Sequence, residues 1–502
     1  MKKNLIILFI AATSFVSCSD WLDVNHDPNA LEEVPTANSL LPAAEVSIAN
    51  NLMGWDFGFG GGFWVEYWTQ TSTASQFKAL CEYQPNGFNT AYSSLMAQSL
   101  TDLKRIKEMT ANDENKGYYF VAEALSIYTW QIITDVWGDM PYVEALKGNE
   151  GLLHPKQDKQ QDIYADLKVR IDELLKIDLS KSSVKGTYDY IFAGDLNKWY
   201  KFANSLKLKL MLRLSETETY KNAEVLSFIE NGSFLDVSAS IPGSIWSDDM
   251  EGKRHPFREF QEGGANYFSQ NVVACKTFID YLSTNSDPRL TTLFSGNPKG
   301  AFFGDFGSKE DSDGNGTTDD KETYAKVVLT ADMDIPLISA WEVNFQIAEV
   351  YARAGNNAKA KEYYENGVKA SLAQHKISDA SIIATGGYAE WKSGSVESQI
   401  KQIAMQKWVA NCKYQHIESF LERNRTKYPS VNEIDIERDR QAAWRNFPVG
   451  DLTISVAGRG TLTGNLPASP TYPSSYRDRN NNAPAQKANV GEKVWWNQKP
   501  GK

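Results

Sequence analysis

The chain has 502 residues, 42% of them hydrophobic and 12% aromatic, with a formal net charge of −11. That apolar content describes globular material with a sizeable core and excludes a disordered chain. The acidic balance excludes a nucleic-acid-binding face, which would need a basic surface to neutralise phosphates.

Lys2 and Lys3 precede the apolar run Leu5–Ala12, which is too short to span a bilayer and reads as the core of a secretory signal over residues 1–17. Phe15-Val16-Ser17-Cys18 looks like a bacterial lipobox, with Phe15 where Leu, Val or Ile is usual. Cleavage before Cys18 with lipidation of its thiol is expected; an ordinary cleaved signal with an incidental cysteine is the alternative. Residues 18–37 form a polar leader with Asp20, Asp23, Pro28 and Pro35, and no later stretch is apolar enough to span a membrane as a helix.

Leu40, Leu41, Ala44, Ile48 and Leu52 fall at helical spacing behind Asn38, a plausible cap. Gly54 breaks this helix. Trp55 to Trp64 alternate glycine with rings and predict a loop, and Trp64, Tyr67 and Trp68 predict the start of another helix. Further helices are predicted over 87–107, 117–136 and 158–177. Gly138 and Pro141 end the second of these. Asp195 caps the next helix, where Trp199, Phe202, Leu206, Leu210 and Leu214 share a face and Lys201, Lys209 and Arg213 lie off it. Residues 216–335 lose helical periodicity and predict a loop-rich insertion with short helices. Helices return over 339–354 and 357–373 around Gly355. Counted from Trp341, the residues Ile347, Ala348, Tyr351, Ala360, Tyr364 and Gly367 occupy the size-restricted positions of a tetratricopeptide repeat, with Asn344 where Trp is expected. Small residues at 348, 360 and 367 predict a close helix–helix approach. A last helix is predicted over 396–422, and loop from 426 to 502. Cys81, Cys275 and Cys412 are too sparse for a disulfide framework and are expected free and buried.

Several runs together resemble the SusD/RagB family of nutrient-binding outer-membrane lipoproteins. They are Cys18-Ser19-Asp20-Trp21-Leu22-Asp23 with Asp27-Pro28-Asn29, Trp137-Gly138-Asp139-Met140-Pro141-Tyr142, and Ala203-Asn204-Ser205-Leu206-Lys207-Leu208-Lys209-Leu210. The others are Glu342-Val343-Asn344-Phe345-Gln346-Ile347-Ala348-Glu349, Gln406-Lys407-Trp408, and Arg423-Asn424-Arg425-Thr426-Lys427-Tyr428-Pro429. They follow the family's order along nearly the whole chain. One departure is Tyr476-Arg477 after Tyr472-Pro473-Ser474-Ser475, where the family often has a glutamate. The resemblance implies a mainly α fold: a right-handed superhelix of degenerate tetratricopeptide helix pairs with large loop-rich insertions. The single domain would run over 38–502, with scaffold at about 38–215 and 336–425 and insertions at about 216–335 and 426–502. The resemblance also implies a cell-surface lipoprotein of the outer membrane that acts as a lid on a SusC-like TonB-dependent transporter. Asp20 and Asp23 resemble the export signals of surface lipoproteins in this family.

Two motifs carry site expectations. Residues 311–322 match a twelve-residue calcium loop, with oxygen donors expected from Asp311, Asp313, Asn315, Thr317, Asp319 and Glu322 and a turn at Gly316. Hard oxygen donors suit Ca2+; a solvated acidic loop is the alternative. The second motif is a set of rings in loops, Trp55, Phe57, Phe59, Trp246, Phe257, Phe260 and Tyr267, with Arg254. Flat rings take the C–H faces of sugars while polar groups take the hydroxyls. The same rings could instead pack loops onto helices. No metal spacing of histidines, no nucleophile elbow and no phosphate loop occurs, so no enzymatic activity is expected. The expected function is binding of a nutrient, a glycan or alternatively a peptide, and its delivery to the transporter. A lipid-anchored hydrolase of the same uptake system and a helical-repeat scaffold for protein partners are the alternatives.

Overall fold

The computed structural model describes residues 35–502 except 73, 251, 263–270, 307–310, 312 and 319–322. Helices of nine or more residues among them are numbered α1 (Ala37–Leu52), α2 (Thr101–Thr110), α3 (Gly117–Trp137), α4 (Gln160–Leu174), α5 (Leu196–Arg213) and α6 (Asn222–Asn231). They continue with α7 (Lys276–Thr284), α8 (Ala340–Arg353), α9 (Asn357–Gln374), α10 (Val396–Asn411) and α11 (His416–Thr426). The fold is mainly helical and tetratricopeptide-like. Successive helices pack on one another, α1 on α2, α2 on α3, α3 on α4 and α5, α5 on α8, α8 on α9 and α10, and α10 on α11. The strands described are short and paired two by two. β1 (Trp68–Gln70) with β3 (Val272–Ala274), β2 (Ala239–Ile241) with β6 (Ile335–Ile338), and β4 (Phe294–Ser295) with β5 (Lys326–Val327) are antiparallel. β7 (Val431–Asn432) with β8 (Leu452–Thr453) is parallel.

Local chemistry explains most helix limits. The Asp195 carboxylate accepts from the N–H groups of Asn197 and Lys198 at 3.1 and 3.2 Å and starts α5. Gly138, at φ +86°, ends α3. The α8–α9 pair approaches as closely as its small residues predict: a Cβ on Gly367 would lie 2.6 Å from the Phe345 ring. Cys81, Cys275 and Cys412 are free and buried.

Four expectations are corrected. The cap of α1 is Thr36, whose N–H donates to Ser39 Oγ at 3.0 Å, so Asn38 already lies in the first turn. Trp55–Gly60 is a wide π-helical turn leading into a short helix, Gly61–Trp64, and its glycines permit burial rather than a free loop. Trp68 then opens a strand, not a helix. The predicted helix 396–422 is two helices broken at Cys412–Gln415, where Lys413 takes φ +77°.

The polar side of α5 is buried as well. Lys209 and Arg213, off the apolar face of α5, are buried against other helices rather than solvated. Arg213 donates Nε to Asp135 of α3 at 3.0 Å, Nη2 to Glu418 at 2.8 Å and Nη1 to Glu422 at 2.7 Å, both on α11. Lys209 Nζ holds Glu342 of α8 at 2.7 Å and Glu418 at 2.8 Å. Arg425 clamps Glu349 with two bonds of 2.7 and 2.6 Å, and Lys407 of α10 reaches Glu422 at 3.0 Å. Burial pushes the Glu349 carboxyl up, but Arg425 and Arg353 outweigh it and hold it at about 2.

Removing Arg213 would leave Asp135 without its cation in the core and take one of several cations from Glu418 and Glu422. Arg213→Met is expected to cost about 3–5 kcal/mol in urea unfolding. Because Glu349 ionises lower in the fold than its ordinary 4.5, its contribution is present above that value and lost as pH falls through about 2. An acid titration of stability read by circular dichroism should decline across that window, and less steeply in Glu349→Gln.

Candidate ligand-binding site

The ring-rich turn is fixed from behind. A Cβ on Gly61 would lie 2.8 Å from the backbone of His416 and Ile417, so only glycine lets this turn meet the first residues of α11. His416 Nδ1 lies 2.9 Å from Gly58 O, and burial pushes the ring down to about 3, which keeps it neutral. Trp408 Nε1 donates to Val65 O at 3.0 Å, and Tyr67 Oη lies 2.6 Å from Trp408 O and from Ser419 Oγ. Below the turn, burial pushes the Glu66 carboxyl up to about 8, although it accepts from Thr277 Oγ1 at 2.6 Å and from Thr453 N–H at 2.9 Å.

On this base the structure gathers four of the expected rings into one cluster. Trp55 lies 5.3 Å from Phe59, 5.2 Å from Phe77 and 5.2 Å from Phe260 between ring centroids. Phe59 stacks on Phe77 at 5.0 Å, meets Phe260 edge-on at 4.7 Å and touches Phe257 at 5.0 Å. Of these four, only Trp55 and Phe260 are half-buried rather than fully buried. Phe59 and Phe257 are fully buried and form the floor; they are corrected from ligand-facing rings to supporting ones. Phe57, also fully buried, is corrected further: it faces away, packing on Phe88 at 6.0 Å and Trp137 at 5.8 Å. A wide helical turn sends neighbouring side chains to different sides, which alternation with glycine does not reveal.

Trp246 and Arg254 are half-buried on the insertion, Trp246 edge-on to His255 at 5.8 Å and Arg254 Nη1 3.4 Å from Glu259. Trp246 Nε1 and Arg254 Nε are buried donors without a partner among the described residues. Tyr267, like Cys18, Asp319 and Glu322, lies outside the described residues.

In the acidic loop, Gly314 and Gly316 take φ +73° and +88°, as a tight turn demands. Asp311 accepts from the N–H groups of Asn315 at 2.8 Å and Gly316 at 2.7 Å, while Asp313 Oδ2 pairs with Lys299 at 2.5 Å. Thr317 N–H donates to Asn315 Oδ1 at 2.7 Å, which leaves the Thr317 carbonyl as its ligand candidate. Among the described residues no three His, Cys, Asp or Glu side chains gather as a metal-holding group.

A cleft of about 430 Å³ between α2, α3 and α4 has no counterpart among the sequence motifs. Tyr142 meets Trp130 edge-on at 4.9 Å. Arg170 grips Glu123 at 2.6 and 3.0 Å and donates to Tyr142 Oη at 2.7 Å, and the Asp158 carboxylate accepts from the N–H of Tyr142 at 2.9 Å. These residues come from separate segments whose meeting is a tertiary event.

The family model described as "SusD-like_2: Starch-binding associating with outer membrane" matches residues 28–447. A solved SusD homolog from Bacteroides uniformis is similar at TM-score 0.69 and 19% identity, covering 92% of this chain and 99% of that one. A structure described as a chitin-binding protein gives TM-score 0.66 and 22% identity, with coverage of 91% and 99%. A chitin-binding SusD homolog from Flavobacterium johnsoniae gives 0.69 and 17%, with 91% and 98%. Among curated protein sequences, none matches the chain. No helix among the described residues is long and apolar enough to cross a membrane.

Proposed function

Because the chain belongs to the SusD-like family, whose members are binding proteins associated with the outer membrane, we propose that it captures a glycan at the surface formed by Trp55 and Phe260. The observation that carries this reading is the pair of half-buried rings standing on a floor of fully buried ones. A rigid ring surface takes the C–H face of a pyranose with little loss of side-chain freedom, because Phe59, Phe77 and Phe257 already hold it in place. Trp246 and Arg254 lie partly exposed on the insertion that also carries Phe260.

The chain then passes the glycan to a SusC-like TonB-dependent transporter, over which it sits as a lid, held to the outer membrane by a lipid on Cys18. No bond is made or broken. A lid must release its cargo, so moderate affinity suits the role. The acidic loop binds Ca2+ through Asp311, Asp313, Asn315 and the Thr317 carbonyl, with Asp319 and Glu322, and the ion orders the insertion.

Three measurements test these points. In affinity gels containing starch or chitin oligomers, retardation of the wild type is expected, and Trp55→Ala should weaken it about ten-fold or more, as for other base or sugar stacking on a ring. Equal mobility of wild type and variant in every gel would defeat the assignment of the surface. Terbium luminescence should be strong in the wild type and lost in Asp311→Ala/Asp313→Ala; the same signal in both rules out the ion. Protease added to intact cells should digest the body, whereas full protection would place it on the periplasmic side and defeat the lid.

A further inference from the structure

A cavity of about 400 Å³ opens where the C-terminal end of α9, the stretch 328–334 and the turn between α10 and α11 meet. Thr292, Thr330, Asp332, His375, Lys413 and Tyr414 are on its wall. Lys413 is 6% exposed, yet its Nζ finds only the Thr292 carbonyl, at 3.4 Å. Lys209 and Lys407, equally buried, each hold carboxylates; Lys413 holds none within ion-pair distance among the described residues. Burial depresses its amine to about 8, although Cys412 and Asp332 pull the other way. Its main chain stays in the left-handed region, at φ +77°, where a side chain other than glycine is uncommon.

His375 completes the wall. Thr292 Oγ1 donates to Arg289 O at 2.8 Å, so the same oxygen accepts from His375 Nδ1–H, also at 2.8 Å. That tautomer leaves Nε2 without a hydrogen; it is fully buried, has no donor among the described residues and does not open onto the cavity. The acceptors that do face it are Asp332, exposed at the mouth, and the partly buried Asp334. The wall therefore presents the buried Lys413 cation, which has no ion pair among the described residues, and the exposed Lys376 beside the carboxylates of Asp332 and Asp334. A lone inorganic anion satisfies the cation but is repelled by the acceptors. A neutral sugar satisfies the acceptors but leaves the cation bare.

We propose that this cavity binds a polyhydroxylated carboxylate of the uronic-acid class, with the Lys413 ammonium facing the carboxylate and the acceptor wall taking hydroxyl donors. The volume suits one such ring. The site is separate from the Trp55–Phe260 surface and does not rest on the glycan reading of that surface.

The test is calorimetric titration of the full chain in detergent with D-glucuronate, D-glucose and inorganic phosphate. Glucuronate should bind at least about ten-fold more tightly than either of the others, the size of one charge-assisted contact. Lys413→Met should weaken glucuronate by about ten-fold or more, and Asp332→Asn, which removes a like charge at the mouth, should tighten it. Trp55→Ala should leave it unchanged, whatever that variant does to oligosaccharide gels. Equal binding of glucose and glucuronate, or wild-type affinity in Lys413→Met, overturns the proposal. If Lys413→Met does not fold, Asp332→Asn decides: unchanged or weaker glucuronate binding overturns it.

Discussion

Arg213 and the carboxylates around it impose the constraint that organises this molecule. A guanidinium buried in a helical core must be met by anions, and here they come from α3 and α11 at once, through Asp135, Glu418 and Glu422. Lys209 adds α8 through Glu342, Lys407 adds α10, and Arg425 ties α11 back to Glu349 on α8. The Trp496 ring covers Arg213 at 5.3 Å and seals the network from the C-terminal tail. Such pairs add little net stability over a well-packed apolar core, since desolvation offsets most of their attraction. What they supply is register: sliding any one helix by a turn would strand a buried charge.

That register reaches the ligand-facing surface through α11. The helix that presents Glu418 and Glu422 to Arg213 also begins at His416, against which Gly61 packs. The ring-rich turn hangs on this point and on Trp408 and Tyr67, so the placement of Trp55 and Phe260 follows from how α10 and α11 are locked. The break at Cys412–Gln415 is part of the same arrangement. A continuous helix from 396 to 422 would aim its last turns elsewhere, whereas the reversal at Lys413 brings them onto α5. It also leaves Lys413 on the wall of a cavity.

Much of the scaffold was legible in the residues. The spacing in α3, α5, α8 and α9, the cap at Asp195 and the small residues at 348, 360 and 367 correspond to what the helices do. The turn at 55–64 was not legible as helix, because glycine suits an open loop and a buried close approach equally well. Of the rings, Trp55 and Phe260 stand at the surface, whereas Phe57, Phe59 and Phe257 are core. Nothing local separates these groups, since exposure depends on what packs above each ring. The cleft around Trp130, Tyr142 and Arg170 had no signal at all, being built from three helices and a loop that meet only in the fold.

The sequence by itself determined the helical character, the order of the pairs and the family, because periodicity and caps act within a few residues and the matching runs lie in the chain as written. It also carried the charges of the central network: Lys209, Glu342, Glu349, Lys407 and Arg425 all fall within those runs. Only the tertiary structure decided that these charges are buried and mutually paired, and which rings are left facing out. Periodicity reports where the apolar face of a helix lies. It is silent on whether the opposite face meets water or another helix, and that choice placed both the network and the candidate binding surface.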